Sequence, residues 1–153
     1  MDAMIPPPPP SGLFQGPLHL FPVRVYYEDT DLSGIVYHAN YLRWFERARS
    51  DMLRLLGIDQ RAAAEAGEGN YSVTEVNIRY LTPARLDDTV TIATSETELG
   101  KASVRLLQRA FRGEELLAEA AVRAGFIAPN GRPRRHPAAW YAAFANVLMK
   151  DAA

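Results

Sequence analysis

Between Tyr26 and Leu53 the chain reads YYEDTDLSGIVYHANYLRWFERARSDML, and this passage changes character twice. Its aromatic start closes a run from Leu18 to Tyr27, LHLFPVRVYY, that alternates from Val23 onward and is rich in β-branched and aromatic residues. That pattern predicts a first strand, with Pro22 suited to its start or to a sheet edge. Glu28 to Gly34 then gathers Asp, Thr, Ser and Gly into a turn. Beyond it Tyr41, Trp44, Phe45, Ala48, Met52, Leu55 and Leu56 recur at helical spacing, while Arg43, Glu46, Arg47, Arg49, Asp51 and Arg54 fill most of the other face. Asn40 is expected to cap this helix and Gly57 to end it in the left-handed region.

Working outward, a short helix is expected from about Asp59 to Ala66, then strands near Tyr71–Leu81, Thr89–Glu98, Ala102–Phe111 and Leu117–Ile127. Turn signals separate them: Pro83 to Asp88, Gly100 and Gly113. One long amphipathic helix followed by four strands at hairpin spacing predicts an α+β domain whose antiparallel sheet packs on that helix. Five successive prolines, Pro6–Pro10, mark residues 1–16 as a disordered or polyproline-like tail without the features of a secretory signal. The domain proper is expected over 17–137. Residues 138–153 are expected to form a C-terminal helix or tail that closes the domain or lays its aromatics on a neighbouring subunit, with Pro137 in its first turn.

A chain of 153 residues fits one domain with one core. Net charge of −1 and a pI near 6.3 argue against a nucleic-acid partner. The absence of cysteine removes thiolate chemistry and disulfides and suits a reducing, cytoplasmic setting. No hydrophobic run approaches the ~18 residues of a membrane-spanning helix. His19, His38 and His136 are scattered, so no metal is expected.

Asp29-Thr30-Asp31 precedes Gly34 and His38 and stands between an aromatic strand and a helix N-terminus. Unpaired N–H groups and the positive dipole end there can hold a developing oxyanion, and a nearby carboxylate can act as base or nucleophile. On pattern alone the same residues serve equally well as turn and capping groups.

The wording of Tyr26–Leu53 weighs between these readings, because it closely resembles the YbgC-like acyl-CoA thioesterases, some associated with the Tol-Pal system. It is also similar to the related hydroxybenzoyl-CoA thioesterases. The shared pattern is an aromatic strand, D-x-D, two residues, Gly, two hydrophobes and a helix, and the likeness continues more loosely through Asn77–Val90 and Phe126–Pro137. The resemblance implies a hotdog fold, in which a curved antiparallel sheet wraps a long helix and the site forms where two subunits meet. By motif position it implies Asp31 as the catalytic carboxylate, Tyr27 and His38 as its partners, and a structural role for Asp29. It implies short-chain acyl-CoA as substrate and no cofactor.

On that reading Asp31 attacks the thioester carbonyl or activates a water, two routes the sequence does not separate. His38, through its backbone N–H or its ring, stabilises the carbonyl oxygen, and Tyr27 orients Asp31 or the substrate. Arg132, Arg134 and Arg135, with Arg85 as a second source, are candidates for the CoA phosphates, or else members of solvated connectors. Glu46 is expected in structural salt bridges with Arg43 and Arg49. The resemblance further implies a homo-oligomer, dimer or tetramer, with acyl carrier protein as another possible thioester donor. The competing expectations are a scaffold protein of an envelope or phospholipid-synthesis complex, peripheral to the inner membrane, and a hotdog hydratase.

Overall fold

A computed structural model describes residues 2–151. In chain order the elements are β1 Leu13–Gln15, β2 Leu18–Arg24, a 3₁₀ turn Tyr27–Asp29, α1 Asn40–Leu55 and α2 Gln60–Glu65. Then follow β3 Asn70–Tyr80, β4 Thr89–Leu99, β5 Ser103–Arg112, β6 Glu115–Ile127 and α3 Ala138–Asp151. The six strands form one antiparallel sheet in the order β1-β2-β4-β5-β6-β3. With α1 packed against its inner face, this is the α+β hotdog arrangement.

The long helix owes its place to its apolar stripe. Tyr41, Trp44, Phe45 and Ala48 are buried against Val25, Val90, Ile92, Ala110 and Ala120, each large side chain contributing ~1.5–3 kcal/mol on burial. Farther along α1, Met52 and Leu53 join Val104, Leu106, Ala124 and Phe144 in a second cluster. Gly57 ends the helix as expected, at φ 79°, with its N–H donating to the Arg54 carbonyl and that of Ile58 to the Leu53 carbonyl, a Schellman motif.

Several expectations are corrected. The sheet starts inside the stretch read as tail, because Leu13–Gln15 pair with Leu18–Leu20 and make β1 the edge. The first strand stops at Arg24, and Tyr27 belongs to the 3₁₀ turn. Asn40 is the first helical residue and makes no cap bond to the helix. Leu55, assigned to the apolar face, is 45% exposed, while Asp51, assigned to the polar face, is buried. Asp51 accepts from His19 Nε2 (2.7 Å), the Ser11 hydroxyl (2.8 Å) and the Gly12 N–H (2.9 Å), which ties the start of the chain to α1. Glu46 makes no salt bridge among the described residues; it accepts from the Ser50 hydroxyl at 2.8 Å, and Arg49 donates to Gln108 at 2.9 Å. Within one chain, Trp140 and Phe144 of α3 pack on Tyr71, and Trp140 also on Phe126.

Candidate active site

The segment between β2 and α1 is wired mostly to itself. Asp29 accepts from the Tyr26 N–H (2.8 Å) and from Asn40 Nδ2 (2.9 Å), while its carbonyl accepts from the Tyr37 N–H (2.9 Å). Asp29 is thus the structural member of D-x-D, and Asn40, expected as a cap, serves as its partner. Thr30 and Val36 bridge, the Asp31 N–H donates to the Ile35 carbonyl (3.0 Å), and the Gly34 N–H donates to the Asp31 carbonyl (3.0 Å). Gly34 sits at φ 81°, which an L side chain resists.

This hairpin holds Asp31 out to solvent. Its Oδ1 accepts from both the Ser33 hydroxyl (2.5 Å) and the Ser33 N–H (2.9 Å), an Asx-turn geometry, while Oδ2 accepts nothing from the described residues. The Ser33 hydroxyl and N–H pull the carboxyl below the ordinary carboxylate range, with His38 adding a smaller attraction. Asp31 therefore stands ionised at neutral pH with one oxygen unengaged.

His38 sits at the entry to α1, its ring 4.6 Å from that of Tyr37 and 6.0 Å from that of Tyr80. The Tyr80 hydroxyl donates to the His38 carbonyl at 2.9 Å. No hydrogen bond engages the backbone N–H of His38, Ala39 or Tyr41 among the described residues. The helix therefore opens on free donors beside the Asp31 hairpin. Tyr27 is not drawn in: it is 84% exposed and its hydroxyl makes no hydrogen bond among the described residues.

The four arginines fall into two groups at opposite ends of the sheet. Arg85 lies at the hairpin end, where the carbonyl of its neighbour Ala84 accepts from the Val36 N–H at 2.9 Å. The segment holding Arg132, Arg134 and Arg135 follows the far end of β6, and Arg134 Nη1 donates to the Glu68 carbonyl at 2.6 Å. A single chain does not bring them together.

Sequence reading missed Tyr80 and Ser33. Ser33 carried a usable signal, since a hydroxyl residue two places after an aspartate is the spacing of an Asx turn. Tyr80 carried none, because it reaches His38 across 42 residues of chain. Among the described residues no group of acidic or histidine side chains could hold a metal, and no helix is long and apolar enough to cross a membrane.

With this geometry described, comparison with known proteins gives a consistent result. Residues 33–119 match the model of the thioesterase superfamily, a span that includes His38, Tyr80 and Arg85 but begins two residues after Asp31. The chain is similar to an acyl-CoA thioesterase YbgC of Haemophilus influenzae, 41% identical over 107 residues, covering 70% of this chain and 79% of that protein. It is 41% identical over 129 residues to the acyl-CoA thioester hydrolase YbgC of Escherichia coli, covering 83% of this chain and 96% of the relative. Among solved structures it resembles a probable thioesterase from Bartonella henselae at 38% identity and a TM-score of 0.74, over 78% of this chain and 99% of that one. The chain belongs to the thioesterase superfamily and, within it, to the YbgC-like acyl-CoA thioesterases.

Proposed function

We propose that this chain hydrolyses acyl-CoA thioesters through the carboxylate of Asp31. The observation that carries the reading is the state of that side chain: ionised, solvent-facing, held through one oxygen by Ser33 and free at the other. The free Oδ2 either attacks the thioester carbonyl, giving a mixed anhydride that water then opens, or takes a proton from the attacking water. In both routes negative charge gathers on the carbonyl oxygen. The open N–H groups at His38 and Ala39 are the donors suited to receive it, and loss of one such donor typically costs ~10²–10³ in rate. The CoA thiolate leaves and is protonated by solvent. Tyr27, standing free in solvent, orients the substrate rather than Asp31.

The complete site, on this reading, needs a second copy. β3 is an edge strand whose outer backbone groups are unpaired within the sheet, and its inner face leaves Val73 and Val76 46% and 39% exposed. Antiparallel pairing of two β3 strands would bring the Arg132–Arg135 segment of one copy to the Tyr80 end of the other. Arg132 and Arg135 would then join Arg85 around the CoA phosphates. The experiment is thiol release from acyl-CoAs, with acyl carrier protein thioesters in the same panel, by wild type and Asp31→Asn. The expected result is turnover that the substitution abolishes. Release of no thiol from any thioester would reject the hydrolase reading, and a monomer by light scattering would reject the shared site.

A further inference from the structure

The register that starts the sheet has a track on which it could continue. Leu13, Phe14 and Gln15 pair with Leu20, His19 and Leu18, so the same antiparallel register would set Ser11 opposite Pro22 and Pro9 opposite Arg24. The ladder stops short of them because Pro22 and Pro6–Pro10 have no N–H to give. Beyond Leu20, this edge of β2 has no strand beside it among the described residues.

The point where the chain leaves that track is fixed. The Ser11 hydroxyl and the Gly12 N–H both donate to Asp51 of α1, at 2.8 and 2.9 Å. Gly12 lies so close to β2 that a Cβ there would meet the Leu20 carbonyl oxygen at 2.1 Å, an approach only glycine allows. From this clamp the chain heads toward the hairpin end. Pro10 lines a hollow of about 480 Å³ with Phe21, Val23 and Tyr26 on one side and Arg47, one helical turn before Asp51, on the other. Residues 2–10 are exposed, so the proline segment stands off this hollow. Met4 and Ile5, beyond the prolines, are 87% and 90% exposed, and Tyr26 and Tyr27, beyond the hollow, are 57% and 84% exposed.

We propose that Pro6–Pro10 is a strap, a polyproline strut that lies down in the hollow along β2, sets Met4 and Ile5 on Tyr26 and Tyr27, and closes that side of the Asp31 hairpin. Its effect on catalysis rests on the Asp31 reading; its docking does not. Length commits the hollow to this segment. From Ser11 to Ile5 a polyproline helix advances ~19 Å, at ~3.1 Å per residue. From Pro22 to Glu28 the facing side runs ~17 Å, as four extended steps of ~3.3 Å and two 3₁₀ steps of ~2 Å. Ile5 then stops beside Glu28, in the turn that precedes Asp31. Chemistry commits it as well. Proline-rich segments seat on aromatic-lined grooves, and a strut already in its bound conformation loses little freedom on docking. Carbonyls without N–H groups cover a strand edge without offering it to a further strand. Laid down, the strap shields the thioester from bulk water; raised, it admits substrate.

The chain has no cysteine, so introduced pairs report where the strap lies. Disulfide formation under mild oxidation is compared in the full chain carrying Ile5→Cys with Glu28→Cys and Ile5→Cys with Arg54→Cys. Arg54 is exposed and nearer the clamp, three residues past Asp51 and away from the hairpin, so a freely swinging segment would reach it at least as readily. The Glu28 pair should oxidise at least ~10-fold faster, and replacing Pro7, Pro8 and Pro9 by glycine should remove that preference. In Glu28→Cys alone, alkylation by iodoacetamide should be at least ~3-fold slower than in the same variant lacking residues 2–10. An Arg54 pair that oxidises as fast as the Glu28 pair, or alkylation indifferent to residues 2–10, overturns the strap. The oxidised Ile5→Cys, Glu28→Cys protein should hydrolyse acyl-CoA at least ~10-fold more slowly than the same protein reduced, and rates within about twofold overturn its effect on catalysis. If wild type hydrolyses no thioester, the hydrolase reading fails, and the cross-linking and alkylation rates still decide whether the strap covers the hairpin.

Discussion

Asp31 and Asp51 lie twenty residues apart in sequence and are used in opposite ways. Asp31 is exposed, and its donors come from one residue two places along the chain. Asp51 is buried, and its donors come from Ser11, Gly12 and His19, on a segment 32 to 40 residues earlier in the chain. Burial works against the Asp51 charge, but the His19, Ser11 and Gly12 donors outweigh it and hold the acid below its ordinary range. Local wiring leaves Asp31 an oxygen for chemistry, whereas distant wiring spends both Asp51 oxygens on the fold. Glu96 is a third case: buried, its two carboxyl oxygens without a partner among the described residues, and pushed up by burial to about 8.

Removing the buried acid is the largest disturbance to stability. Asp51→Ala leaves the imidazole, a hydroxyl and an N–H without their acceptor and should cost about 3–4 kcal/mol in urea unfolding. Activity per folded molecule should be retained. Glu96→Met should work the other way. In the folded state Glu96 holds its proton to about pH 8, against 4.5 for its ordinary value. Its penalty is therefore absent below pH 4.5, grows as pH rises through that window and is full above pH 8. The substitution should add on the order of 2 kcal/mol at pH 8.5 and progressively less toward pH 4.5, read from unfolding midpoints across that range.

Smaller effects sharpen the view of the hairpin. Tyr80→Phe removes the donor to the His38 carbonyl and should lower kcat about five- to tenfold, or ~1 kcal/mol, with the fold intact by circular dichroism. Ser33→Ala removes one of two donors to Asp31, so the carboxyl should titrate higher. The acid limb of kcat/KM should then move to higher pH while the plateau at neutral pH stays within about twofold. A limb indifferent to Ser33 would mean that another group titrates.

The fold was legible because its largest signals are local. The helical spacing of Tyr41, Trp44, Phe45, Ala48 and Met52 identified α1, Gly57 marked its end, and alternation located β3 to β6 within about two residues. What was misread depends on distant chain. A three-residue edge strand, Leu13–Gln15, is too short to display alternation. Asp51 reads as a surface charge until the segment 32 to 40 residues before it folds back. At the site the motif singled out Asp31 and His38, which the fold brings to one end of α1. Tyr27 stands apart from them in solvent, and the two groups of arginines lie at opposite ends of the sheet.

The central contrast is tested most directly by measuring kcat/KM of Asp31→Asn beside Asp51→Asn, each normalised to folded protein by its urea midpoint. The account predicts that Asp31→Asn keeps the wild-type midpoint and loses about 10²–10⁴ in rate, while Asp51→Asn shifts the midpoint and keeps its rate within a few-fold. An Asp31→Asn protein that folds normally and retains more than about a tenth of wild-type activity, where such an acid or base is worth ~10²–10⁴, would contradict it.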